Sequence, residues 1–289
     1  MSVVVVTDST AYLPEGCADR FSVRVVPLHV SVDGADPVDE PDFGPDRLAE
    51  ALDRKHRVTT SGATAAELGR VYREALEGGA AGVVSVHLSR WLSGTWNAAR
   101  WAAREVDPER VLVVDSRSAA MGLGLPVLAA AASASEGAPL EAVGERAAAV
   151  AERASTLFTV PTMEYLRRGG RVGTTAAFLG TALAIKPLLH VRDGRIAALE
   201  KVRTAGRAVA RLLDLAVQAA GEDADVVVAV HHLAAPARAQ QLAEEIRTRV
   251  PGRAECVVSE VGAVIGAHIG PGAVGLVVLP GGWTGTRSG

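Results

Sequence analysis

The sequence predicts an α/β protein of two domains, and three features carry that reading. Short β-branched runs alternate with helical stretches through the first half. Hydroxyl-rich turns stand between them, and an alanine-rich helix gives way to a different texture near Ala154–Phe158. Strands alternating with helices imply parallel pairing through right-handed crossovers. The expected division is residues 1–155, residues 156–280, and a Gly- and Thr-rich tail over 281–289.

Each element follows from local chemistry. Val3–Val6 is a strand running into Thr7-Asp8-Ser9-Thr10, and Phe21–Val32 holds one or two more. Asp33-Gly34 and the stretch from Pro37 to Pro45 read as a loop before a helix at Asp46–Arg54. Thr64-Ala65-Ala66-Glu67 has the spacing of a capping box, with Leu68, Val71, Tyr72, Ala75 and Leu76 on one helical face behind it. Ala80–Leu88 and Val111–Val114 are strands, and Trp96–Val106 is a helix. Alanine-rich helices follow from about Ala119 and over Leu140–Ala154.

In the second half, Thr156–Val160 is a strand, Met163–Arg168 a short helix stopped by Gly169-Gly170, and Ala176–Lys186 a helix closed by Pro187. Asp193-Gly194 between Leu188–Arg192 and Arg195–Arg203 is a hairpin signal. Helices over Gly206–Ala220 and Pro236–Val250 and strands over Asp225–Val230, Cys256–Ser259 and Ala273–Leu279 complete the chain.

Composition narrows the function. Thirty Lys plus Arg against 33 Asp plus Glu leave no net basic face to release counterions from nucleic acid, so none is expected as a partner. Two cysteines, Cys17 and Cys256, suit a reducing cytosol. There is no basic n-region ahead of Val3–Val6 and no apolar run of membrane-spanning length. A cytoplasmic protein without stable membrane insertion is the expectation.

In an open parallel sheet, ligands bind beyond the carboxyl ends of the strands, near helix N-termini. Asp8-Ser9, Thr60-Ser61-Gly62, Ser93-Gly94-Thr95 and Asp115-Ser116 fill such places, and their hydroxyls can donate to an anionic oxygen. Singly, each also reads as an ordinary cap or turn. Phosphate-loop, dinucleotide and nucleophile-elbow signatures are missing. His231 and His232 are adjacent and would face opposite sides of a strand, so no metal is expected. His268 lies in a glycine-rich stretch, Gly262 to Gly272, that reads as a bend feeding the final strand. Ten basic residues crowd between Pro161 and Arg211, among them Arg167, Arg168, Arg171 and Arg203.

These pieces together resemble the DegV family, over roughly Val3 to Leu279. The matches are Thr7-Asp8-Ser9, Thr60-Ser61, Leu92-Ser93-Gly94-Thr95, Val114-Asp115-Ser116 with Met121-Gly122-x-Gly124, and Tyr165-Leu166-Arg167-Arg168-Gly169-Gly170-Arg171. Ile185-Lys186-Pro187-Leu188-Leu189 with Asp193-Gly194, and Ile265-Gly266-x-His268-x-Gly270-Pro271-Gly272, complete the set. One departure stands out: the family usually continues Thr-Ser with Gln-Pro-Ser, whereas this chain has Gly62-Ala63-Thr64.

The resemblance implies a parallel-sheet N-terminal domain, a mixed-sheet C-terminal domain and one long-chain fatty acid (palmitate, stearate or oleate) in a tunnel between them. It implies a carrier without a catalytic residue or cofactor, which presents the carboxylate to a separate fatty acid kinase for acyl-phosphate formation. By position, Thr60, Ser61, Ser93, Gly94, Thr95 and His268 would hold the carboxylate, with either Thr60 or Ser61 in contact. Asp8, Ser9, Asp115 and Ser116 would neighbour the head group. Charge suggests Arg167, Arg168, Arg171 and Arg203 for the kinase-facing side. The alternatives are a hydrolase or transferase using Ser93 with His268, and a lipid-sensing regulatory module.

Overall fold

The computed structural model describes residues 2–172, 185–223, 225–250 and 253–283. Along the chain the first elements are β1 (Val3–Asp8), a 3-10 turn (Ser9–Ala11), α1 (Cys17–Arg20), β2 (Arg24–Val26), β3 (His29–Val32) and β4 (Val38–Asp39). Next come α2 (Glu40–Phe43), α3 (Pro45–Asp53), β5 (Val58–Ser61), α4 (Ala65–Glu77), β6 (Gly82–His87) and α5 (Thr95–Val106). Then β7 (Val111–Asp115), α6 (Met121–Ser135), α7 (Leu140–Arg153), β8 (Ser155–Thr159) and α8 (Glu164–Arg168) follow. The rest is β9 (Lys186–Arg192), β10 (Arg195–Val202), α9 (Ala205–Ala220), β11 (Asp225–His232), α10 (Pro236–Arg249), β12 (Arg253–Glu260), α11 (Ala263–Ile269) and β13 (Val274–Pro280). The expected helix at 176–186 falls mostly on 173–184, outside the described residues, as do 284–289 of the expected tail.

Two compact units emerge. The first takes the chain up to His29 and Ser61–Arg153; the second takes Val30–Thr60 and the chain from Ala154 onward. The continuous 1–155 domain expected from sequence is thereby corrected, because residues 30–60 group with the second half. The physical reason is a set of contacts spanning more than two hundred residues. The buried Glu40 carboxylate accepts a hydrogen bond from the Val264 backbone at 2.8 Å, and Leu48 packs on Gly266.

The first unit holds a four-stranded sheet in the order β2-β1-β6-β7, parallel throughout. Parallel strands are covered on both faces, so β6 is buried along its whole length. The apolar α6, which carries Pro126 without breaking, packs against β1 and β6. The capping box forms as the sequence predicts: Glu67 N donates to Thr64 Oγ1, and Thr64 N to the Glu67 carboxylate at 2.7 Å.

The second unit has a six-stranded sheet in the order β10-β9-β8-β13-β11-β12. It is mixed: β11–β12 is parallel and its other neighbours pair antiparallel. The Asp193-Gly194 turn has φ of 51° and 79° at its two central residues, as a tight hairpin of the right twist requires. Leu212, Leu213 and Ala216 of α9 and Leu242 and Ile246 of α10 share one core with Val228, Val230, Leu276 and Val278. A smaller sheet runs β4-β3-β5.

Two further expectations are corrected. The stretch 37–45, read as a loop from its prolines, contains β4 and α2; Pro41 sits in the first turn of α2 and Pro45 in that of α3, where the missing N–H costs nothing. Thr60-Ser61 is the end of strand β5 and not a turn. Among the described residues, no helix is long and apolar enough to cross a membrane.

Candidate functional site

The parallel register decides what stands at the carboxyl end of the first sheet. Val6 lies opposite Ser85, so two residues further on Asp8 comes beside His87. Both are fully buried. His87 Nδ1 lies 2.9 Å from Asp8 Oδ2, and Leu88 N donates to the same oxygen at 3.1 Å. Thr10 donates from its amide and its hydroxyl to Asp8 Oδ1 at 3.2 and 2.5 Å. Behind the ring, His87 Nε2 meets Ser85 Oγ at 2.7 Å, and the Tyr72 hydroxyl donates to that same serine oxygen at 2.7 Å.

One proton arrangement satisfies the whole chain. Tyr72 donates to Ser85, Ser85 to His87 Nε2, and His87 Nδ1–H to a carboxylate that collects four donors. Although Asp8, His87 and Ser85 line up in an acid–imidazole–hydroxyl sequence, all are sealed from solvent. The network ties the ends of β1 and β6 together. Reading the sequence missed His87, Ser85 and Tyr72; the available signal was an ionisable residue at the end of each of two adjacent parallel strands.

The chain leaving this knot forms the hydroxyl loop. Ser93 Oγ and Thr95 Oγ1 are 2.9 Å apart at the start of α5, and Thr95 N donates to Ser93 Oγ at 3.3 Å. Thr95 is fully buried, Ser93 half-buried and Gly94 exposed. Gly62 closes against the pair: a Cβ there would stand 2.5 Å from Thr95 Oγ1 and 3.1 Å from Ser93 Oγ. The departure from the family's usual glutamine therefore falls where a side chain has no room beside these hydroxyls as placed. Two hydroxyls at the N-terminus of a twelve-residue helix favour an anionic oxygen, through hydrogen bonds and the helix dipole.

The remaining expected head-group neighbours are engaged locally. Ser9 Oγ accepts from Leu28 N at 3.0 Å, Asp115 pairs with Arg90 at 3.5 Å, and Ser116, buried, donates to Ser118 O at 3.2 Å.

His268 sits in the last turn of α11 and not in a bend, which corrects the sequence expectation. Gly262 caps that helix, Gly266 lies inside it and Gly270 ends it. Gly266 is there for space, because a Cβ would run into the fully buried Leu48. The neighbouring Thr60 and Ser61 differ as alternate residues of a strand must: Thr60 is half-buried and Ser61 exposed. Thr60 Oγ1 lies 2.9 Å from His268 Nε2. Against the other edge of the ring stands Gly169, where a Cβ would overlap His268 Nδ1. That nitrogen is buried and has no hydrogen-bond partner among the described residues.

Burial, and then the Arg171 charge, push the His268 pKa down to about 4, so the ring is neutral at pH 7. A neutral imidazole with no carboxylate behind Nδ1 can share a hydrogen bond with an acid's oxygen. Among the described residues, no acid is paired with Nδ1 as in a Ser-His-Asp base.

Of the basic residues, Arg167 and Arg203 are exposed, Arg168 pairs with Glu164, and Arg171 is half-buried, its guanidinium donating to Gly169 O at 2.5 Å. His231 meets Ser259 at 2.9 Å and His232 lies 3.5 Å from Glu260. No metal-holding cluster of His, Cys, Asp or Glu occurs among the described residues.

A pH dependence follows from the histidines. Burial pushes His231, like His268, down to about 4 from a usual 6.5. Between those values the unfolded chain binds more protons, so stability rises with pH across the window. Acidification from 6.5 through about 4 is therefore expected to lower the denaturant midpoint, the stabilisation being complete above 6.5. A His231→Asn variant, measured over the same series, should show a shallower slope.

Comparison with known proteins places this chain in a family. Residues 2–281 match the family model described as "Uncharacterised protein, DegV family". A DegV domain-containing protein of Streptomyces coelicolor is 49% identical over 276 residues, covering 96% of this chain and 98% of that protein. A DegV family protein from Thermus thermophilus, solved in a study of its fatty acid binding, is 36% identical with a TM-score of 0.91, covering 97% of this chain and 100% of the other. DegV of Bacillus subtilis, a fatty acid binding protein, is 31% identical with a TM-score of 0.87, covering 96% and 99%. The chain belongs to the DegV family.

Proposed function

We propose that this protein binds one long-chain fatty acid and presents its carboxylate to a separate fatty acid kinase, which makes the acyl phosphate. The observation that carries the reading is the likeness to the Thermus thermophilus and Bacillus subtilis proteins over nearly the whole chain, both described by fatty acid binding. Ser93, Gly94, Thr95, Thr60 and His268 are the proposed grips on the acid. Ser61, the exposed neighbour of Thr60, is the secondary candidate. The exposed Arg167, Arg168 and Arg203, with Arg171, are the proposed kinase-facing residues. The chemistry then belongs to the kinase, and this chain supplies binding and orientation in the cytoplasm.

The energetics suit a carrier. Each buried methylene contributes about 0.8 kcal/mol, so roughly fourteen supply about 11 kcal/mol before ordering costs. Hydrogen bonds to the carboxylate contribute about 1.5–3 kcal/mol each. The tail gives affinity and the hydroxyls give orientation. Ser93→Ala is therefore expected to weaken palmitate binding by roughly ten- to a hundredfold, with Thr95 still in place. Titration calorimetry reads this directly; an unchanged Kd would remove Ser93 from the site.

A further inference from the structure

The helix that carries His268 is short and has no side-chain cap of its own, since its N-cap is Gly262. Its anchoring comes from far away in sequence. Glu40 Oε1 accepts from Val264 N at 2.8 Å, in the first turn of α11, across 224 residues. Glu40 is 4% exposed, so this is a buried carboxylate aimed at a helix N-terminus, where negative charge is favoured. Leu48 meets the middle of the same helix at Gly266, and Thr60 meets its last turn at His268. Glu40, Leu48 and Thr60 all belong to the one segment, 30–60, that leaves its sequence neighbours to join the second unit.

Three contacts at the start, middle and end of a seven-residue helix fix both its rotation and its axial position. Rotation matters because the His268 ring is confined on two sides, by the Thr60 hydroxyl and by the backbone of Gly169. A helix that turns by a fraction of a residue pulls Nε2 out of reach of Thr60 or drives the ring into Gly169. We infer that Glu40 is a positioning residue for His268, acting through the first turn of α11, and that segment 30–60 is the clamp that presents this histidine to the ligand. The ligand part of this inference rests on the fatty acid reading; the link from Glu40 to His268 does not.

The test uses the full chain with Glu40→Gln, Glu40→Asp and Glu40→Ala. Imidazole nitrogen NMR of His268 is recorded without lipid, alongside palmitate titration and thermal melting. Glutamine keeps an acceptor at the same reach and should keep the His268 signals and a near-native Kd. Aspartate withdraws the acceptor by one methylene and alanine removes it. Both are expected to shift the His268 signals and to weaken palmitate binding by about tenfold, the size of one lost hydrogen bond. Should Glu40→Ala fail to fold, Glu40→Asp carries the comparison. Variants that melt earlier while His268 signals and Kd stay native would overturn the proposal and leave Glu40 a stabilising residue only. Native chain that does not bind palmitate, combined with shifted His268 signals in the variants, would sink the ligand reading and leave the clamp standing.

Discussion

Asp8→Ala is expected to destabilise the first unit by about 3–5 kcal/mol. The carboxylate accepts from Thr10 N, Thr10 Oγ1, Leu88 N and His87 Nδ1, and every one of these groups is buried with it. Alanine leaves those donors without an acceptor in a place water does not reach, and an unsatisfied buried donor costs about 1–3 kcal/mol. Asp8→Asn keeps the shape but replaces one accepting oxygen with a donor facing His87 or Thr10, so a smaller loss is expected. Urea unfolding followed by circular dichroism measures both. An Asp8→Ala midpoint within error of the native one would show that this buried network is not what holds β1 to β6.

The second large effect is expected at Gly169. Its backbone packs against the His268 ring, and the methyl group of Gly169→Ala would stand well inside contact distance of Nδ1. The ring cannot yield without leaving Thr60 Oγ1, now 2.9 Å away. Overpacking of this kind costs about 1–3 kcal/mol, and the displaced imidazole is expected to weaken palmitate binding by about tenfold. Gly206→Ala is the control, because a methyl group there meets open space at the start of α9. Melting temperature and titration calorimetry on the two variants separate a local clash from a general intolerance of substitution. Equal behaviour of the two would remove Gly169 from the account.

Local signals in the sequence suffice where one turn of chain decides the outcome. Thr64 and Glu67 form both halves of the capping box, and Asp193-Gly194 turns the β9–β10 hairpin. Alternation of strands and helices identified the parallel sheet of the first unit. The glycines and prolines misled wherever tertiary packing sets their role. Pro41 and Pro45 open helices and do not interrupt them. Gly266 stands inside α11 because Leu48 takes the space a side chain would need.

The grouping of residues 30–60 with the second unit rests on contacts such as Glu40 to Val264, which no local pattern announces. His87 is not legible in the sequence, because a single histidine ending an apolar strand carries no signature until the register sets it beside Asp8. The hydroxyl and histidine candidates were legible only as residue types. What the structure adds is their pairing: Ser93 with Thr95, and Thr60 with His268.

Native mass spectrometry of the protein as purified is the most direct measurement of the central claim, followed by a melting curve with added palmitate or oleate. One long-chain fatty acid per chain is the expected result. Lipid-stripped protein should gain about 2.7 kcal/mol of stability at a hundredfold excess of ligand over Kd. A chain that emerges lipid-free, with a melting temperature unmoved by either acid, would contradict that claim.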